Sequence, residues 1–248
     1  MRTLKIASIL ALATLASCVN PPKTQVQEQP ISISTQPFDN GTPLKISFEK
    51  GDEFYHPLMV FWVEDDHGNF IKTLYVSKSI ATGTFRYGVA EGKKWKPGER
   101  RRPAALPYWG HQRGEKAPDG LYLPTPQNPL PDAITGATPT GSFNLSTTVD
   151  TQAQYVKVFM EINQTWDWNN YWHNNRFPND DEYKTSCQPA LVYMARVNLL
   201  EKGLTYELKP IGHSHPSGKT GELFTDISNH TTALSIAKRV SVTVNPLD

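Results

Sequence analysis

Apolar residues recur at every second position over much of this chain, and that period confines it to a fold built from strands. Leu44, Ile46 and Phe48 alternate with Lys45, Ser47 and Glu49, the pattern of a strand buried on one face. Val156, Val158, Met160 and Ile162 form a second such face opposite Lys157, Phe159 and Glu161. Residues 58–63 are apolar on both faces, as in a central strand. Asp65, Asp66, His67, Gly68 and Asn69 then supply a turn into 70–76, so these two runs predict a hairpin. Further strands are expected at 143–149, 191–199, 204–208 and 240–244, and only 231–239 reads as helical. Seven or eight strands between turn signals predict an all-β fold. The expected architecture is an antiparallel β-sandwich, immunoglobulin-like, with an open barrel as its structural rival.

The domain is expected to span 43–248, with a long irregular insertion at about 80–141. That insertion holds many of the Gly and Pro residues, the run Arg100, Arg101 and Arg102, and the indoles of Trp95 and Trp109. Its aromatics argue that it wraps one end or face of the sandwich. A formal net charge of +1 points to neither nucleic acid nor a strongly acidic partner.

The N-terminus reads as an export signal. Arg2 and Lys5 precede an apolar run from Ile6 to Ala16, too short to span a bilayer. Leu15, Ala16, Ser17 and Cys18 resemble the lipobox of bacterial lipoproteins. The resemblance implies removal of residues 1–17, lipidation of Cys18 and membrane attachment through that lipid. Residues 18–42, rich in Pro, Gln, Thr and Ser, are expected to form a flexible tether. Val19 stands where inner-membrane lipoproteins often carry Asp, which favours an outer-membrane location facing the periplasm. With Cys18 lipidated, Cys187 is the remaining cysteine, expected as a small buried apolar residue.

One short motif carries a specific chemistry. Asp132, Ala133, Ile134, Thr135, Gly136, Ala137 and Thr138 resemble the acceptor motif D-x-x-[ST]-G-A-[ST] of covalently flavinylated proteins. In those proteins a flavin transferase esterifies the phosphate of FMN onto the last residue, so the resemblance implies covalent FMN at Thr138. Asp132, Thr135, Gly136 and Ala137 would then form the rest of the cofactor site, and a membrane redox partner is implied. Pro139 departs from the aliphatic or small residue usual at that place. The same segment also reads as a turn, with Gly136 tolerating positive φ.

A second resemblance covers nearly the whole mature chain. It rests on Phe61-Trp62-Val63-Glu64, Leu106-Pro107-Tyr108-Trp109, the 132–138 motif followed by Gly141, Gly212-His213-Ser214-His215, and Thr231-Thr232-Ala233. These are similar to a family of bacterial periplasmic proteins catalogued only as a domain of unknown function. The resemblance implies a periplasmic β-sandwich and brings no activity.

Other constellations are open to two readings each. Trp166, Trp168, Tyr171 and Trp172 lie among polar residues and, with Trp109, are ligand-binding candidates. They suit a glycan or an isoalloxazine ring, and equally an aromatic cap over the core. On this reading the protein is a non-enzymatic binding or scaffold module. His213 and His215 are metal candidates, with His111 and His173 as completing ligands, or else plain loop histidines. Arg100–Arg102 fit a phosphate or a solvated face. No nucleophile–base–orienter set is recognisable, so an electron carrier or binding protein is expected rather than a hydrolase.

Overall fold

The computed structural model describes residues 29–35, 41–131 and 134–246. The signal segment, Cys18, Asp132 and Ala133 lie outside the described residues. In chain order the strands are β1 (Ile31–Ser34), β2 (Thr42–Lys50), β3 (Leu58–Asp65), β4 (Phe70–Ser77), β5 (Thr84–Glu91), β6 (Lys94–Glu99) and β7 (Thr135–Gly136). They continue as β8 (Phe143–Val149), β9 (Tyr155–Asn163), β10 (Leu191–Asn198), β11 (Thr205–Glu207), β12 (Lys209–His213) and β13 (Ala237–Val244). One sheet runs β1-β8-β2-β13-β11 and the other β12-β10-β9-β3-β4-β7, while β5 and β6 form a separate hairpin. The chain is thus the β-sandwich that the alternation predicts. Its pairings are antiparallel except at two sheet edges, where β1–β8 and β4–β7 run parallel.

Strand β3 explains the layering. Met59, Phe61 and Val63 point into the space between the sheets, against Ile46, Phe48, Phe143 and Val158. Leu58, Val60 and Trp62 point outward and are buried all the same, under Ile80, Leu106, Trp109 and Leu123 of the insertion. A strand between two apolar layers has no polar face to show, which is why 58–63 carries no alternation.

Two expectations are corrected. The stretch foreseen as a tether contributes β1, which lies along the edge strand β8 and sets Ile33 against the core. It covers unpaired backbone groups that β8 would otherwise expose. The helix foreseen at 231–239 is only a 3-10 turn, Thr232–Ser235, after which Ala237 already pairs in β13 with β2. Burying Val240, Val242 and Val244 between the sheets outweighs local helical preference there. Helical residues fall instead in the long connections, as α1 (Lys78–Thr82), α2 (Pro107–Arg113) and α3 (Asp181–Ser186).

The strand directions sort the connections by end. The turns 66–69, 150–154 and 199–204 share one end of the sandwich. Connections 51–57, 78–142, 164–190 and 214–236 all leave from the other. The candidate residues that are described lie in or beside these long connections.

Candidate functional site at the loop-bearing end

Thr135 and Gly136 form the edge strand of the six-stranded sheet, paired with Val76 and Ser77 of β4. The Tyr75 hydroxyl holds this edge by donating to the carbonyls of Ala137 at 2.9 Å and Gly136 at 3.3 Å. A Cβ on Gly136 would stand 2.8 Å from the Tyr75 ring. Gly136 is not among the positive-φ glycines, so close approach, rather than a left-handed turn, is what requires glycine there. Thr138 Oγ1 donates to Ser77 Oγ at 3.3 Å, and the same Ser77 oxygen accepts the Met59 N–H at 3.0 Å. Ala137 is exposed and Thr138 half-buried at the sheet margin, with the Thr138 hydroxyl turned to the buried Ser77. Lys78, the residue after Ser77, is an exposed cation at this margin.

The tryptophan-rich stretch divides. Trp166 and Trp168 are 59% and 52% exposed, whereas Trp172 is buried. Trp166 holds φ +65°, a backbone state costly for a bulky side chain. With Tyr55, which is 62% exposed, the two indoles line a cleft of about 480 Å³ that also takes in Glu53, His56 and Asp167. Gln164 ties its walls together, accepting the Tyr55 N–H at 2.9 Å and donating to the Glu53 carbonyl at 3.0 Å. Tyr55 had no signal in the sequence, because it comes from a different connection. Trp109 is fully buried, with its indole N–H donating to Thr73 at 3.0 Å. It packs the insertion and presents no face to a ligand.

The histidines pair differently from their spacing. His213 lies against His230, with ring centroids 4.7 Å apart, and both pack on Trp172. Burial keeps both rings neutral, lowering His213 and taking His230 down to about 4. His215 instead accepts the Ser217 N–H at 3.1 Å. No group of three or more His, Cys, Asp or Glu side chains is placed to hold a metal ion among the described residues. Arg101 is engaged by Asp119 at 2.6 Å and the Leu123 carbonyl at 2.8 Å, and Arg102 lies over the Phe85 ring. Cys187 is buried, and desolvation raises its thiol to about 11, which leaves it a poor nucleophile.

Glu161 is the most perturbed carboxyl of this region. It is completely buried on β9, and burial pushes it up to about 8 against the pull of its hydrogen bonds. Its two oxygens accept the N–H groups of Tyr108 at 3.1 Å and Trp109 at 2.8 Å. These are first-turn amides of α2, whose own N-cap residue, Leu106, offers no side-chain acceptor. A carboxyl group from the sheet therefore caps the helix of the insertion and pins it in place.

No protein-family model, curated protein or solved structure matches this chain.

Proposed function

We propose that the protein is an exported, lipid-anchored electron-transfer accessory that carries FMN esterified to Thr138. The observation that carries this reading is the position of one hydroxyl. Thr138 lies half-buried at a sheet margin, next to exposed Ala137, with a long hydrogen bond to Ser77 as its hydroxyl contact among the described residues. In the transfer the Thr138 Oγ–P bond forms as the phosphoanhydride of a flavin dinucleotide donor breaks, the nucleoside monophosphate leaves and the hydroxyl proton passes to base, so the long contact with Ser77 is given up. Gly136 leaves no side chain between the motif backbone and Tyr75, which keeps the acceptor in a defined place. FMN bound there would take up and release electrons reversibly. The signal segment and Cys18 fit the same reading, since they direct the chain to a compartment where a transferase and a membrane redox partner operate.

The test is direct. The secreted chain is co-produced with a flavin transferase, denatured and separated on a gel. Flavin fluorescence should stay with the wild-type band and vanish in Thr138→Ala. A wild-type band without fluorescence would overturn the proposal.

A further inference from the structure

The cleft lined by Tyr55, Trp166 and Trp168 is not used by the flavin reading, and its chemistry is of a different kind. Three large aromatic side chains are more than half exposed within one small cavity. Exposed aromatics scattered singly need no explanation, but three that converge on a cavity of ligand size do. Trp166 and Trp168 stand nearly perpendicular, at 77° with centroids 5.9 Å apart, so they form two walls of a corner. The corner is held open by structure: Gln164 bridges the 51–57 connection to the chain leaving β9, and Trp166 keeps its strained backbone.

The polar groups of the cleft narrow the choice of ligand. Glu53 contributes a carboxylate to the cleft, while Asp167 lies buried in its wall, with Oδ1 accepting from the Thr232 hydroxyl and burial raising its pKa. The Glu53 carboxylate, with no Lys or Arg among the lining residues, disfavours phosphates and other anions. It suits a neutral molecule with many hydroxyl donors, whose hydrogen bonds to carboxylate are charge-assisted. Aromatic faces, negative at their centres, attract the weakly positive C–H groups on the flat side of a sugar ring. A molecule with hydroxyls around its rim and C–H groups on its face is a pyranose.

We infer that this cleft is a binding site for neutral glycans, with Trp166 and Trp168 as stacking platforms and the Glu53 carboxylate as hydroxyl acceptor. The volume suits one or two sugar rings, so the site takes a chain end or a short stretch of a longer glycan. The inference stands independently of flavin attachment, because none of these residues belongs to the 132–138 motif.

The experiment screens the full secreted chain on an array of neutral and anionic oligosaccharides, then titrates the best neutral hit while following tryptophan emission. Saturable binding to at least one neutral glycan is expected. Trp166→Ala and Trp168→Ala should each weaken it at least tenfold while leaving the melting temperature unchanged, since both indoles are exposed. Thr138→Ala should bind as the wild type does. Retention of anionic glycans alone, no retention of any neutral glycan, or full affinity in both tryptophan variants would overturn the assignment.

Discussion

At one end of the sandwich the strands are joined by turns of a few residues that satisfy their own polar groups. Asp65 shows how: its carboxylate accepts the N–H groups of His67 at 2.8 Å and Asn69 at 2.9 Å, while Gly68 takes the positive φ. Asp66 next to it is gripped by Arg196 through two hydrogen bonds. At the other end, four long connections satisfy one another. Asn169 donates to Asn229 and Thr231 of the 214–236 connection, Gln164 reaches Glu53, and Glu161 caps the helix of the insertion. The short end is set largely by contacts within its turns, with Arg196 gripping Asp66 across strands, and carries no candidate chemistry. The long end depends on contacts between segments far apart in sequence, and there the exposed aromatics, the buried histidines and the Thr138 motif gather. Rigid strands with elaborated loops at one end are a common way to position a site.

The contrast can be broken at several points. Trp62 stacks on Phe159 at 4.9 Å and anchors the outer layer that supports the long end. Trp62→Ala should cost about 3–5 kcal/mol. Urea denaturation would measure the loss, and faster proteolysis within 78–142 would show that the insertion has loosened.

Glu161→Ala orphans two buried amides, at about 1–3 kcal/mol each. The same residue predicts a pH dependence. Its folded carboxyl titrates at about 8, against an ordinary value of 4.5, so in that interval the folded chain holds a proton the unfolded chain has released. Stability should therefore fall as pH rises from about 4.5 to 8, and Glu161→Gln should flatten that slope in melts taken across the interval.

Gly136→Ala drives a methyl against Tyr75 and should destabilise by about 1–3 kcal/mol, with a matching drop in flavin attachment in the gel assay. Asp65→Ala perturbs only the short end. It should cost about 1 kcal/mol in thermal unfolding and leave both flavin attachment and glycan binding untouched.

The strands are readable because a sheet with one buried face writes itself as alternation, and all eight of the expected runs appear where the pattern sets them. β1 was hidden in a polar, Pro-rich stretch, since an edge strand that covers another needs little apolar surface. The 3-10 turn at Thr232–Ser235 reads as a helix in sequence because Ala233, Leu234 and Ile236 mimic helical spacing. In the site, Trp166 and Trp168 were visible as a cluster. Their separation from Trp172, and their junction with Tyr55, were not, because burial depends on what other connections cover.

By itself the sequence determined the local terms: strand faces, tight turns, the export signal as an expectation, and the motif that singles out Thr138. Only the tertiary structure decided which aromatics face solvent, that His213 meets His230 rather than His215, and that Glu161 caps a helix 52 residues earlier in the chain. The physical reason is range. Backbone pairing and side-chain alternation are set by neighbours along the chain, whereas burial, cleft shape and shifted titration arise from groups brought together when four distant connections pack on one end.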